Sequence, residues 1–552
     1  KRGVDRLLTW DFQMHGLVEA LMTRTGQVMA WEMGLGKGRL ALALALMGGK
    51  HSLIMVEPYL VDELAIEITD FGLADDEWQV IERPEDARDL KRINIITYNR
   101  LRQPLQMIAN ATPAQKRRAR TYADLLAKRI SIAVADEGSL LAHESTAQSR
   151  AIAKLHPKRR YILDGTPNAN YPRDALPLMT WVAGDSTALQ QYGRWHYSLD
   201  ERAYKSAAYL EQGRTEFSRR FVTLSMGSHE DGSEFRSEIP MIQDVIGYRQ
   251  WLAPLVSRRL QGEPEVARHV QIEPPLARKV VLKWDRDHFS HYHRVSTDFS
   301  RFYESQLRLR VEEGKNINFA VTLARVGACV RAANMPQLAS SNFARLDSPA
   351  TTKQRYAAAR SIELAEAGEK VIVYVDGPEQ VERLCDLIRA QGHDVVGLHG
   401  QMAIKRRTRA LNEQFRFGPV MILVASIQCC RRGLNIHQAS RVIMYSRHWS
   451  YSTERQAIFR TCRPLQTRQV RAEFLELQGS IDEYQNQVVM YKRECEQVGL
   501  DWATPTLTED RFMHMDTLFS TFCQDLASLG ESLVFSADDQ DLVLTEEPEF
   551  VY

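Results

Sequence analysis

At 552 residues the chain is long enough for three or four domains, and its 44% hydrophobic and 26% charged residues are the balance of a globular protein. The longest apolar run, Leu40 to Met47, is far too short for a membrane-spanning helix, and no signal-peptide pattern is visible. Seven cysteines, an odd number with no Cys-x-x-Cys pair, exclude a disulfide framework and a zinc module, and suit a reducing, intracellular setting. The chain opens at Lys1 without a methionine, as a trimmed chain or fragment would. Net charge is only +1, but the last 52 residues hold twelve acidic residues and one arginine, which leaves +12 on the first 500. A basic body suits a polyanion partner; a solvated charged surface is the plainer reading.

The first motif is Leu8-Thr-Trp-Asp-Phe12-Gln13-Met-His-Gly16-Leu17. A glutamine amide can pair with an adenine edge through one donor and one acceptor, although Gln13 alone reads as a helix-surface residue. Then Gln27-Val-Met-Ala-Trp-Glu-Met-Gly34-Leu-Gly36-Lys37-Gly38 brings an apolar strand into a Gly-x-Gly-Lys turn, and an Ala/Leu run follows to Met47. Alternating Ala and Leu has a strand's period, but both are strong helix formers, and a helix is expected here. The glycines let backbone N–H groups curl around phosphate oxygens, Lys37 adds a point charge, and the helix N-terminus adds its dipole. By itself such a turn reads equally well as an ordinary glycine turn.

Four more strands follow, separated by helical stretches: Ser52 to Val56, ending at Glu57-Pro58; Ile93 to Thr97-Tyr98; Ser131 to Ala135; and Arg160 to Asp164. A basic helical stretch, Lys116 to Arg120, precedes the third of them. Five strands alternating with helices predict a doubly wound parallel α/β sheet, whose ligands sit at the carboxyl ends of the strands. Asp136-Glu137 and Gly165-Thr166-Pro167 fall at such ends. An aspartate there can hold Mg²⁺, directly or through water, while the glutamate orients and deprotonates an attacking water. A surface turn is the alternative.

Residues 184–349 are less regular. Met226 to Ser233 reads as an exposed loop, Trp251 to Arg258-Arg259 ends in paired arginines, and 285–335 is helical with many Arg and aromatic residues. That stretch reads as a structural bundle; the resemblance given below makes a DNA-facing protrusion an equal reading. A second α/β unit begins near 350, with strands at Lys370–Val375, Val395–Leu398, Val420–Ala425, Arg441–Tyr445 and Val470–Leu475. It carries Gly433-Leu-Asn435, His448-Trp449 and the string Gln456-Ala-x-x-Arg460-x-x-Arg463. Arginines three apart are expected on one helix face, where they can stabilise charge on a transferring phosphoryl group. Beyond Asp501 one or two helices and an acidic end, Asp538 to Glu549, are expected, the end being solvated or lying on the basic surface or a partner.

The order of these motifs resembles the motor of Swi/Snf-type ATPases of helicase superfamily two. The string Glu32-Met-Gly-Leu-Gly-Lys37 is matched outright, Phe12-Gln13 to Gly16 resembles the family's adenine motif, and Asp164-Gly-Thr-Pro167 resembles its Thr-Gly-Thr-Pro. The resemblance implies two RecA-like lobes: a first over 1–183, an insertion and helical protrusion over 184–349, a second over 350–490, and a helical, acidic extension over 491–552. It implies ATP and Mg²⁺ as cofactors. Lys37, Asp136, Glu137, Arg460 and Arg463 would be catalytic, Asp136 would hold the metal, and Gln13, Gly34, Gly36, Lys37, Gly38, Gly433 and Asn435 would bind nucleotide. Thr97, Tyr98, Arg102, Gly400, Arg406 and Ser426 would grip nucleic acid. Three departures stand out: Gly38 where a Thr or Ser usually ligates Mg²⁺, Ser139 for the usual His, and Cys430-Arg431 with Phe459 in the second half.

The implied activity is ATP-driven translocation on, or remodelling of, double-stranded DNA. A strand-separating or annealing helicase is one alternative, and a degenerate ATP-binding scaffold is another. Duplex DNA is the expected partner, a protein could dock on the insertion or the acidic tail, and no membrane is involved. Location would be the cytoplasm of a bacterium or phage-infected host, or a eukaryotic nucleus.

Overall fold

The Ala/Leu run is a helix, Lys37–Leu46, and every residue from Leu40 to Leu46 is buried. A helix enclosed on all sides needs no polar face, so its alternation carries no helical period. In the computed structural model this helix belongs to the first of two compact units, which comprises Lys1–Thr223, Pro240–Ile272 and Lys492–Thr506; the second comprises Leu224–Ile239, Glu273–Tyr491 and Leu507–Tyr552. The structure describes residues 4–58, 60–106, 112, 119–167, 171–199, 203–204, 212–228, 234–313, 319–338, 343–430, 435–501, 503, 521–523, 525 and 533–552. Gly433 and most of the basic stretch 116–120 lie outside the described residues.

The first unit is built on a parallel sheet of seven strands, in the spatial order Val256–Arg259, Gly26–Trp31, Arg159–Leu163, Ile132–Asp136, Ser52–Val56, Ile93–Thr97, Trp78–Val80. Successive residues of one strand face opposite cores. Leu53 and Met55 join a cluster with helix Ala175–Ala183, while Ile54 and Val56 join one with helices Lys37–Leu46 and Asp11–Met22. Burial on both faces explains the uninterrupted apolar runs. The five expected strands are present. The two added edge strands, Trp-Gln-Val and Val-Ser-Arg-Arg, have no apolar run and left no such signal.

The second unit has an eight-stranded sheet. Six strands are parallel, in the order Val395–Leu398, Ile422–Ser426, Val371–Val375, Arg441–Met444, Arg471–Leu477, Leu276–Leu282. Val543–Glu546 and Phe550–Val551 then pair antiparallel with Leu276–Leu282. The middle of the chain is therefore shared out rather than standing apart. Tyr192, Phe217, Phe221, Tyr248 and Trp251 pack edge to face in the first core. The helices Arg286–Glu313 and Phe319–Asn334 turn Tyr292, Phe299, Tyr303, Val326 and Cys329 into the second.

The C-terminal end also differs from a solvated terminus. Leu276–Leu282 would otherwise be an open edge, and the last residues close it. Their acids meet its bases, Arg278 with Glu546, Lys279 with Glu547 and Lys283 with Asp541, so the acidic run complements one basic strand. Tyr552 is buried against Tyr451 and Phe474. Earlier, helix Ile481–Leu500 delivers Cys495, Val498 and Leu500 to the first core, where Arg249 donates to the Val498 and Ala503 carbonyls. Among the described residues no helix is long and apolar enough to cross a membrane, and all seven cysteines are free thiols.

Glu476, on strand Arg471–Leu477, is fully buried, with Arg447 at 3.7 Å and Lys279 at 3.9 Å. Burial pushes its carboxyl up to about 7, with Arg447 and Lys279 pulling the other way. A raised folded value stabilises the protein at pH below the ordinary glutamate range, and that contribution is lost as pH rises through about 7. Arg447 keeps its bidentate partner Glu454 and Lys279 keeps Glu547 when Glu476 is neutralised. Glu476→Gln is therefore expected to stabilise the fold by on the order of 2 kcal/mol at pH 8 and hardly at all at pH 4; thermal melts at the two pH values measure this.

Candidate functional site

The glycine turn, Thr97-Tyr98, Asp136-Glu137 and Gly165-Thr166-Pro167 each sit at the carboxyl end of a parallel strand, while Phe12-Gln13 to Gly16 lies on helix Asp11–Met22. Gly26–Trp31 runs into the turn Glu32 to Lys37, where Gly34 (φ +83°) and Gly36 (φ +80°) hold the left-handed conformation. Helix Lys37–Leu46 starts at once, so its first N–H groups point into the turn. Lys37 Nζ donates to the turn's own carbonyls, Trp31 O at 2.8 Å and Glu32 O at 3.1 Å.

The turn is held from outside by two side chains, Gln13 and Gln261, and a third, Arg258, ties the strand before it to Gly165. Gln13, buried on helix Asp11–Met22, donates from Nε2 to Leu35 O at 3.0 Å, and its Oε1 is buried without a hydrogen-bond partner. Gln261 Nε2 donates to Met33 O at 2.7 Å, while its main-chain N–H donates to Glu32 Oε2 at 2.6 Å. Arg258 Nη1 donates to Ala30 O at 2.9 Å and Gly165 O at 3.0 Å. Two glycines are required by close approach: a Cβ at Gly16 would lie 2.1 Å from the Trp31 ring, and one at Gly36 would lie 2.2 Å from Gln13 Nε2. Trp10, stacked on Phe12 at 5.6 Å, also stands beside Gly36.

Strand Ile132–Asp136 ends at the carboxylates. Tyr98 Oη donates to the Asp136 carbonyl, and the Glu137 N–H donates to Asp136 Oδ1 at 3.1 Å. Glu137 itself has φ +53°, one of two left-handed non-glycine residues among those described. Burial and then the Glu137 charge push Asp136 up to about 7, with Lys37 drawing it back and Asp164 adding to the rise. Asp164, fully buried, accepts from Ser139 N at 2.6 Å and Thr166 N at 2.8 Å; burial and Glu137 raise it too, against those two N–H groups.

The half-buried Asp136 and Glu137, with fully buried Asp164 behind them, set against one lysine and a glycine cradle, are short of positive charge and rich in hard oxygen donors. That donor set suits a small divalent cation together with phosphate, because Mg²⁺ takes one or two carboxylates and completes its shell with water and phosphate oxygens. The orphaned Gln13 Oε1 leaves an acceptor for an amino group. At Gly38 a Cβ would lie 3.3 Å from Glu67 Oε2, a tight contact, so a carboxylate crowds the position where the usual hydroxyl-bearing residue would stand. Burial raises that carboxyl, with Arg39 opposing.

The nucleic-acid residues divide. Thr97 caps helix Tyr98–Leu101, its Oγ1 accepting from Arg100 N at 3.2 Å, and Arg102 is exposed. Gly400 and Arg406 are exposed near strand ends of the second unit. Tyr98 and Ser426 are buried, Tyr98 behind Asp136 with its ring in the first core and Ser426 as the last residue of a central strand. The arginines need correction. Helix Tyr451–Ile458 stops before them, and Arg460 and Arg463 lie in tight turns that lead to Pro464, which disfavours helical geometry at Arg463. Arg460 is buried and its carbonyl accepts Ile436 N at 2.9 Å; Arg463 is half-buried. Asn435 Oδ1 lies 3.1 Å from His437 Nδ1. Sequence reasoning missed Gln261, which stands in no motif, and the contacts of Arg258 and Asp164, which were legible only as motif neighbours.

Residues 13–220 match the model of the SNF2-related domain, and residues 353–464 match that of the helicase conserved C-terminal domain. The SNF2 domain-containing protein CLASSY 2 of Arabidopsis thaliana is 29% identical over 121 residues, 21% of this chain and 10% of that protein. The chromatin-remodeling ATPase INO80 of Saccharomyces cerevisiae is 22% identical over 143 residues, 26% of this chain and 10% of its own length. The matched stretch is thus about a tenth of each relative's length. The solved Sulfolobus solfataricus SWI2/SNF2 ATPase core in complex with dsDNA aligns over 96% of this chain and 98% of its own, at 17% identity and a TM-score of 0.33. With the SNF2-related domain in its first unit and the helicase C-terminal domain in its second, this chain belongs to the Swi/Snf-type, helicase-like family of superfamily two.

Proposed function

We propose that the protein is a DNA-dependent ATPase that translocates along, or remodels, double-stranded DNA. The observation that carries this is the convergence of Lys37, the left-handed glycine turn and the half-buried Asp136–Glu137 pair at one end of the first sheet. Lys37 would exchange its loop carbonyls for the β- and γ-phosphates of ATP. Gln13 would present Oε1 to the adenine amino group. Mg²⁺ held by Asp136, directly or through water, supplies charge neutralisation at the phosphates. Glu137 would take the proton of the attacking water, and Arg460 and Arg463 would stabilise charge on the transferring group. Asn435, and Gly433 outside the described residues, would complete the nucleotide contacts. Thr97, Arg102, Gly400 and Arg406 would grip the phosphate backbone without reading bases. Such a protein works wherever duplex DNA lies, the bacterial cytoplasm or the eukaryotic nucleus.

Steady-state ATP hydrolysis with Mg²⁺, compared without nucleic acid and with single-stranded DNA, duplex DNA and RNA, tests this reading. Duplex stimulation, with displacement of a triplex strand but no opening of the duplex, is the expected outcome. Opening of the duplex would make it a helicase. ATP binding without hydrolysis under every condition would leave only a scaffold. The cradle has its own test. Gly36→Ala forces a Cβ into Gln13 Nε2 and places an L side chain at a left-handed position that costs about 1–2 kcal/mol. ATP affinity is expected to fall at least about tenfold, that cost being about a factor of ten, as read by a fluorescent nucleotide.

A further inference from the structure

We propose that Asp164 is a positioning residue for Glu137: by tying the turn that follows Glu137 to the Gly165-Thr166-Pro167 turn, it holds the base in its left-handed backbone conformation. This rests on the hydrolase reading above.

Glu137 has φ +53° and ψ +48°, a conformation that side chains other than glycine's seldom adopt and that persists only where the surroundings over-determine it. Three contacts do so. Upstream, Tyr98 Oη anchors the Asp136 carbonyl. At the next residue, a Cβ on Gly138 would lie 2.4 Å from Ile162, so the chain lies directly on strand Arg159–Leu163, which leads into Asp164. Downstream, Asp164 Oδ2 takes the Ser139 N–H at 2.6 Å while Oδ1 takes the Thr166 N–H at 2.8 Å. One fully buried carboxylate thus joins the ends of two neighbouring strands, each with one oxygen.

Stability alone does not account for this residue. Asp164 brings a third carboxyl to Asp136 and Glu137, and it raises Asp136 as Glu137 raises it. An asparagine would fill the same space and remove that repulsion. It would keep an acceptor for one N–H and set its own N–H₂ against the other. Positions 139 and 164 are also the two at which Ser and Asp stand for the His and Thr of the motifs this chain resembles. The structure joins them, the Ser139 main-chain N–H donating to Asp164 Oδ2 and the Ser139 hydroxyl also acting on that carboxylate.

The experiment compares wild type, Asp164→Asn, Asp164→Thr and Ser139→His/Asp164→Thr in the full chain. It reads kcat and KM for ATP, affinity for a fluorescent nucleotide, and melting temperature. Asp164→Asn is expected to lower kcat by about 30-fold, in the range a misplaced group costs, with KM and affinity within about twofold and a melting temperature unchanged or higher. The double variant is expected to recover about tenfold over Asp164→Thr. An unchanged kcat in Asp164→Asn, with the wild type active, overturns the inference and leaves the hydrolase reading standing. So does a loss of kcat that tracks a fall in melting temperature and nucleotide affinity, or a double variant no better than Asp164→Thr. An inactive wild type sinks both readings.

Discussion

Glu137→Gln is expected to cut ATP turnover by about 10³-fold or more while nucleotide affinity stays within about threefold. The substitution keeps the size of the side chain and removes the proton acceptor. The main-chain contacts around it do not use its carboxylate: Tyr98 Oη holds the Asp136 carbonyl, and Asp164 holds the Ser139 N–H. It also relieves Asp136 of the neighbouring charge that helps to raise it. Binding is therefore expected to survive and chemistry to fail. Stopped-time hydrolysis assays beside a fluorescent-nucleotide titration measure the two separately. Equal loss of both would mean that Glu137 shapes the pocket rather than acting on water.

The second large effect is expected at the arginines. Arg463→Ala should lower kcat by about 10³-fold, the scale on which arginine fingers act, with ATP affinity nearly unchanged. Arg463→Lys should rescue little, because a point charge cannot reproduce the planar fork. Arg463 is the cleaner test, since Arg460 is buried and its truncation would also cost stability. A variant that keeps wild-type kcat would remove Arg463 from the site. Circular dichroism and a thermal melt of the same preparation confirm that the overall fold is intact.

The first sheet was legible because parallel strands covered on both faces must be apolar throughout, and runs such as Ser52–Val56 and Ile132–Asp136 are. The phosphate turn was legible because its glycines and lysine are consecutive. Val256–Arg259 was not, since an edge strand needs no apolar run and its partner, Gly26–Trp31, is more than 200 residues away. The same holds for Leu276–Leu282, which reads as part of a middle segment yet completes the second parallel sheet. The acidic end reads as solvated until the basic strand it covers is known.

For the site, the residue types and their order were set by local sequence: a lysine in a glycine turn, an Asp-Glu pair after a strand, two arginines three apart. Those needs are local, because a turn's conformation and a helix N-terminus depend on a few adjacent residues. Tertiary structure decided which side chains serve them. It buried Tyr98 and Ser426, stopped helix Tyr451–Ile458 short of Arg460, brought Gln13 and Gln261 onto one turn, and set Arg258 between the strand before that turn and Gly165. It also gave Asp164 both the Ser139 and the Thr166 N–H. Such contacts join residues far apart in the chain, and only the packing of strands against each other fixes the distances on which hydrogen bonds depend.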